Sequence, residues 1–295
     1  MRKFQVLVDG TSDLQKEFRD AYMVDDCKMT FTLCDKNYET DLDWGNIAPE
    51  EYYGAMEAGN RVVTGLVSFP EFESKFTKYL EQGLDILYVA CSSKLSGSVN
   101  TGRLVAEELL QKYPDRKIVC YDSLRSNYAQ GLMGIDVAKM ALEGKSIEEA
   151  VAYLDENRLC YQVHGTVASL KYLKLSGRIK ATKAFFGNLF GVKPIILSDA
   201  KGYNYAYKKV KGRKASLDDL VAVTKERIFN PSESIVFVEH ACALEDAEYV
   251  ASQLRGFAKE VRISTLGPII GSVIGPGSVT VNFFGHKVEI FTPEE

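Results

Sequence analysis

Short apolar runs that end in polar turns constrain this chain more than any other feature. Phe4–Val8 ends at Asp9-Gly-Thr-Ser-Asp13, Ile86–Ala90 at Cys91-Ser-Ser-Lys-Leu-Ser-Gly-Ser98, and Ile118–Tyr121 at Asp122–Asn127. Helical patterns follow the last two, over Val99–Lys112 and from about Gln130 to Glu143. Apolar runs of this length, bounded by turn residues, read as strands buried on both faces, and strands that alternate with helices build a parallel, doubly wound sheet. Ligands of such sheets lie beyond the carboxyl ends of the strands, where all three polar turns fall.

The pattern changes after a helical stretch at Ile147–Asn157. Val192–Leu197, Tyr203–Val210, Ser234–Glu239, Val261–Thr265, Val279–Phe284 and Val288–Phe291 read as strands, with helices at Leu217–Ile228 and Glu245–Phe257. The alternation of Val279, Val281 and Phe283 predicts a half-buried antiparallel strand, and Gly285-His286 a hairpin turn. The expectation is an α/β chain in two parts. Residues 1–157 form a doubly wound domain, and residues 158–295 an α+β domain with a mixed or antiparallel sheet and the ligand between the two. Between Met23 and Phe69 the pattern is irregular, and predicts an excursion of short strands with a helix near Pro49–Glu57.

A net charge of −4 argues against a nucleic-acid binder. The six cysteines show neither a CxxC pair nor metal-ligand spacing, as expected of reduced thiols in the cytoplasm. Met1–Val8 is too short an apolar stretch for a signal peptide, and no run approaches a membrane span. The expected protein is cytoplasmic and needs neither metal nor cofactor.

Four serines, Ser92, Ser93, Ser96 and Ser98, surround Gly97 in the most informative turn. Hydroxyls beside the unpaired amides of a helix N-terminus make an anion holder, while a single Ser96 or Ser98 also reads as an ordinary N-cap. The turn holds no histidine or carboxylate, so its chemistry is gripping rather than bond breaking. Ser68, followed by Pro70 and Glu71, is a natural helix cap; Thr64 has no such local task. Gly177 suits the end of a helix, and Arg178 either neutralises that end or receives a carboxylate or phosphate. Gly267–Gly277 holds four glycines and two prolines, so the backbone turns tightly there. It matches neither a P-loop nor a dinucleotide fingerprint, and otherwise reads as a connection packed against another domain.

Taken in order, Asp9–Leu14, Thr64–Ser68, Ser92–Ser98, Asp122-Ser123 with Gln130-Gly131, Leu170–Ile179, Lys193-Pro194-Ile195 and Gly271–Gly277 resemble the motifs of the DegV family. The resemblance runs from about residue 4 to the C-terminus. It implies two α/β domains that hold a long-chain fatty acid between them, without catalysis. It also implies, for some members, presentation of the carboxylate to the catalytic subunit of a bacterial fatty acid kinase. Carried onto this chain, the carboxylate contacts fall on Thr64 and on Ser92, Ser93, Ser96 and Gly97, with Arg178 nearby and Gly271, Ser272 and Val273 opposite. A kinase-docking position falls on Lys211, with Arg213 beside it, in the basic run Lys208–Lys214. The acyl tail would run along Ala184–Gly191 and Val192–Ile196, or along Ile269, Ile270, Val273 and Ile274.

The chain departs from the family at the head group. Thr64-Gly-Leu-Val-Ser68 stands where Thr-Ser-Gln-Pro-Ser is usual, and Val273 where relatives have a histidine. Each lost hydrogen bond to a carboxylate costs roughly 1.5–3 kcal/mol. The departures therefore predict weaker binding or a different head group. Two other readings stand beside the carrier. One is an enzyme for a small phosphorylated or carboxylated metabolite, with Asp9, Asp13 or Asp122 as acid–base group. The other is a binder of an uncharged lipid, suggested by Leu66 and Val273.

Overall fold

The computed structural model describes residues 2–180 and 191–289. In chain order the elements are β1 (Phe4–Asp9), α1 (Lys16–Tyr22), β2 (Asp25–Cys27), β3 (Thr30–Leu33), β4 (Lys36–Glu39), α2 (Pro49–Glu57), β5 (Val63–Thr64), α3 (Phe69–Leu80), β6 (Asp85–Ala90), α4 (Ser98–Lys112), β7 (Ile118–Asp122), α5 (Asn127–Leu142) and α6 (Ile147–Asn157). Then follow β8 (Tyr161–Thr166), α7 (Leu170–Ser176), β9 (Ile179–Lys180), β10 (Val192–Ser198), β11 (Asn204–Lys211), α8 (Arg213–Arg227), β12 (Ile235–His240), α9 (Leu244–Leu254), β13 (Glu260–Thr265), α10 (Pro268–Ile274) and β14 (Val279–Phe284).

The first sheet has four parallel strands in the order β2-β1-β6-β7. All six residues of β1 are buried, because apolar layers cover both faces. Phe72, Val105 and Leu109 of α3 and α4 pack on one face; Met133 and Val137 of α5, with Leu154 of α6, pack on the other. Local sequence sets the helix starts. The Ser68 hydroxyl accepts from the Glu71 amide, and Ser146 and Glu149 form a reciprocal capping box. The irregular stretch forms a small antiparallel sheet, β4-β3-β5, with α2 against it.

The second sheet is mixed, with seven strands in the order β13-β12-β14-β8-β10-β11-β9. Its β12–β13 and β11–β9 pairs are parallel, and the rest antiparallel. Helices α8 and α9 cover one face with Leu217, Leu220, Val250 and Leu254. The first residues of α5, together with Tyr128 stacked on Phe237, lie on the other.

Three sequence expectations change here. Strand β14 is buried on both faces along all but its last residue, because it lies mid-sheet between β12 and β8. Gly285-His286 makes no hairpin: the Gly285 amide donates to the Cys160 carbonyl and its backbone bridges to Ile228. Val288 joins no strand, and its amide donates to the Leu159 carbonyl. The expected strand from there to Phe291 otherwise lies outside the described residues, as does nearly all of the candidate tail wall Ala184–Gly191.

Candidate functional site

The polar turns after β1, β6 and β7 meet along one edge of the first sheet, and α10 faces them from the second half of the chain. The glycine- and proline-rich segment therefore contains a short helix rather than a bare connection. Tyrosines hold it in place. Tyr52 and Tyr53 of α2 donate to the carbonyls of Pro268 and Leu266, 2.6 and 2.7 Å away. Tyr172 of α7 donates in turn to the Met56 carbonyl at the end of α2. Burial pushes the Tyr52 and Tyr53 phenols upward, so they remain donors. Gly271 is required at this contact, since a Cβ there would stand 2.1 Å from the Tyr53 hydroxyl oxygen.

Between the polar turns and α10 lies a cavity of about 70 Å³. Thr11, Thr64, Ser96, Ser126, Asn127 and Arg178 form its polar wall, and Met29, Leu66, Ile269, Ile270, Val273 and Ile274 much of its apolar one. A second chamber of about 30 Å³ adjoins it and shares Asn127, Asn204 and Ile274. Outside, an open cleft of about 240 Å³ shares Thr64, Arg178 and Val273 and adds Arg61 and Ser272.

Hydrogen bonding decides which hydroxyls face a ligand. Ser98 accepts from the Val67 amide at 3.2 Å, and its hydroxyl lies 3.1 Å from that of Ser96. A proton donated from Ser98 to Ser96 leaves the Ser96 proton aimed at the cavity, polarised by the chain of bonds behind it. Thr64, at the end of β5, has no hydrogen-bond partner for its hydroxyl among the described residues. Thr11 is already engaged, with its hydroxyl 2.5 Å from Asp9 Oδ1 and 2.7 Å from Gln130 Oε1. Arg178 follows Gly177, whose φ of 64° ends α7, and gives one N–H to the Ser176 carbonyl at 2.7 Å. It therefore both neutralises the helix end and borders the cavity.

The other expected site residues stand elsewhere. Ser92 is buried and donates to the Gly202 carbonyl at 2.7 Å, while the Ser93 amide donates to Asp122 Oδ1. Both shape the turn rather than face the cavity. Gly97 is the N-cap of α4, and a Cβ there would press on Leu66 at 3.3 Å. Ser272 lines the outer cleft and donates to the Ile269 carbonyl. Lys211 is exposed. Arg213 is held inward by Asp246 at 2.7 Å and the Gly277 carbonyl at 2.5 Å, so it is not the outward-facing cation expected of a docking patch.

None of the three aspartates considered as acid–base groups lines the cavity. Asp9 accepts from the Thr11 amide and hydroxyl, the Tyr88 hydroxyl and the Cys91 amide. Asp122 accepts from the amides of Ser93 and Leu124. Asp13 turns toward Glu239. The thiol of Cys91 does border the cavity, but burial pushes it far up, away from the nucleophilic thiolate. No group of three or more metal-ligating side chains occurs among the described residues, and no helix there is long and apolar enough to cross a membrane.

Sequence reasoning reached Asn127 only as the last residue of the polar turn after Tyr121, and missed Asn204. Asn127 adopts φ 57°, a strained conformation for a residue other than glycine, which places its side chain at the junction of the two chambers. Asn204 opens an edge-side strand and carries no local signal.

The family profile described as "Uncharacterised protein, DegV family" matches residues 3–285. A DegV domain-containing protein of Clostridium perfringens is 35% identical over 98% of this chain and 100% of its own length. Among solved structures, a DegV lipid-binding protein of Thermotoga maritima has a TM-score of 0.83 at 26% identity, covering 97% of this chain and 100% of its own. A DegV family protein of Thermus thermophilus, described for fatty-acid binding, scores 0.81 at 26% identity with the same coverage. A stearic-acid-binding protein of Eubacterium ventriosum scores 0.81 at 25% identity, covering 96% and 98%. By a family match over nearly its whole length, and a relative aligned end to end, this chain belongs to the DegV family.

Proposed function

We propose that this protein is a non-enzymatic carrier of a long-chain fatty acid, which lies between a domain of residues 1–157 and one of residues 158–295. The observation that carries this reading is the pairing of two available hydroxyls, on Thr64 and Ser96, with the Arg178 guanidinium at one end of a cavity walled by α10. Such donors hold a carboxylate through charge-assisted bonds, and among the described residues no carboxylate or histidine borders the cavity. The relatives described above bind lipid, fatty acid or stearic acid, which supports the same head group. The protein needs no cofactor, and its place is the cytoplasm.

The enclosed space is smaller than the roughly 300–1,000 Å³ of typical small-molecule sites. An acyl tail therefore enters by displacing side chains of α10 and of the second chamber. Native mass spectrometry after mild purification is expected to show a fatty-acid mass on the protein. Repeated recovery of empty protein that takes up neither oleate nor palmitate would overturn the carrier reading. Replacing Thr64 by valine, or Ser96 by alanine, is expected to weaken oleate binding about 10–100-fold, the equivalent of one charge-assisted bond. Isothermal calorimetry checks this, and unchanged affinity in both variants moves the head group elsewhere.

Leu66 and Val273 favour a second reading, in which the head group is uncharged. Extraction of the purified protein and identification of the lipid separates the two. Under the carrier reading, Val273→His adds a donor beside Arg178 and strengthens carboxylate binding by roughly tenfold; under the second it weakens or leaves unchanged the binding of the extracted lipid. Presentation of the carboxylate to a fatty acid kinase subunit is the further step, with Lys211 as the exposed docking cation.

A further inference from the structure

Two carboxyl groups meet in the interior with no cation to pair them among the described residues. Asp13 follows the turn after β1 and is 5% exposed; Glu239 lies in β12 and is fully buried. They stand within hydrogen-bonding reach of each other. Among the described residues, both oxygens of Asp13 and Oε1 of Glu239 lack a donor of good hydrogen-bond geometry, although the Gly267 amide approaches Asp13 and the Tyr128 amide and Asn127 side chain approach Glu239. Glu239 Oε2, by contrast, receives Asn282 at 2.7 Å and Thr280 at 3.3 Å. Three orphaned carboxylate oxygens at one point are costly, and two anions in contact are costlier still. A single proton removes both penalties, because an O–H···O⁻ bond satisfies each partner.

Every surrounding element bears this out. Asp9 of β1 adds negative charge, as the Tyr53 phenol of α2 would if ionised. From α5 come the Tyr128 amide and the Asn127 side chain, together with the Tyr128 phenol, which would add negative charge if ionised, and from β14 come Thr280 and Asn282. The loop before α10 brings the Gly267 backbone against Asp13. Among the described residues, no lysine, arginine or histidine donates to either group. Neither residue lines the two chambers, so a proton fits there and a hydrated cation does not.

We infer that Asp13 and Glu239 hold one proton between them, and that its loss loosens α10 from the first sheet and frees the cavity wall. The link is direct, since Gly267 touches Asp13 and is the N-cap of α10, whose Ile269, Ile270, Val273 and Ile274 line the cavity.

Burial raises both groups, and the Glu239 charge raises Asp13 further. A carboxyl raised in the folded state stabilises fully below its unfolded pKa and loses that contribution as pH rises through the folded value. The unfolding constant of the wild type, relative to Glu239→Gln, should thus rise by up to about tenfold per pH unit above about pH 5 until the shared proton has left. Asp13→Asn is the second variant, should the first fold poorly. Amide exchange in α10, corrected for intrinsic rate, should be faster at pH 8.5 than at pH 6 in the wild type and flat in both variants. Parallel stability profiles in wild type and variants would overturn the shared proton. A pH slope that vanishes in the variants, with unchanged α10 exchange in the wild type, would overturn the coupling to the wall.

Discussion

Arg125→Met should destabilise the fold by about 3–5 kcal/mol, uniformly from pH 6 to 9. Arg125 is fully buried. Its Nε donates to the Tyr161 carbonyl at 2.6 Å, and one Nη to the carbonyls of Leu124 and Asp199 at 2.7 and 2.9 Å. The bonds join the turn after β7 to both β8 and the turn after β10. Desolvation pushes the guanidinium down to about 10, so it is still cationic near neutrality. The sign follows from that value. A cation whose folded pKa is depressed changes stability only as pH rises through the folded value, so between pH 6 and 9 the loss in Arg125→Met has no slope from this group. The loss arises because carbonyls bonded to a cation become unbonded in an apolar interior. Urea midpoints at several pH values check it, and a loss under 1 kcal/mol would show that other donors take over these carbonyls.

The second large effect is expected at Gly271. Alanine there places its Cβ 2.1 Å from the Tyr53 hydroxyl oxygen and 2.8 Å from the ring. Tyr53 has little freedom to yield, being packed edge-on against Tyr52 and bonded to the Leu266 carbonyl. Gly271→Ala should cost at least about 3 kcal/mol, the range of severe overpacking, and abolish ligand binding because α10 lifts from α2. Adding Tyr53→Phe removes the closest contact but leaves the ring, so the double variant should recover part of the loss rather than all. Chemical denaturation of the single and double variants reads the coupling. An alanine variant as stable as the wild type would mean that α10 is loosely seated.

Much of the fold was legible because its signals are local. Ser68 caps α3, Gly177 ends α7, and the buried run Ile86–Ala90 forms a central strand, each determined within a few residues. What escaped depended on partners far along the chain. Alternation suggested that β14 has one wet face, yet α5, more than a hundred residues earlier, covers that side. Gly267–Gly277 has poor helix propensity, yet Pro268–Ile274 within it is helical where tyrosines of α2 bond the Pro268 and Leu266 carbonyls. The site followed the same rule. Thr64, Ser96, Arg178 and Val273 come together around one cavity, while Ser92 and Ser93 serve the turn. Four equivalent-looking hydroxyls in one motif were divided by backbone carbonyls and amides that sequence spacing does not locate.

Helix α5 touches both sheets: it packs on β1 of the first and on β8 and β14 of the second. A keel common to two hulls forbids them to swing apart like a clamshell. Under the proposed function, cargo boards at the gunwale, past the short helix and the arginine beside it.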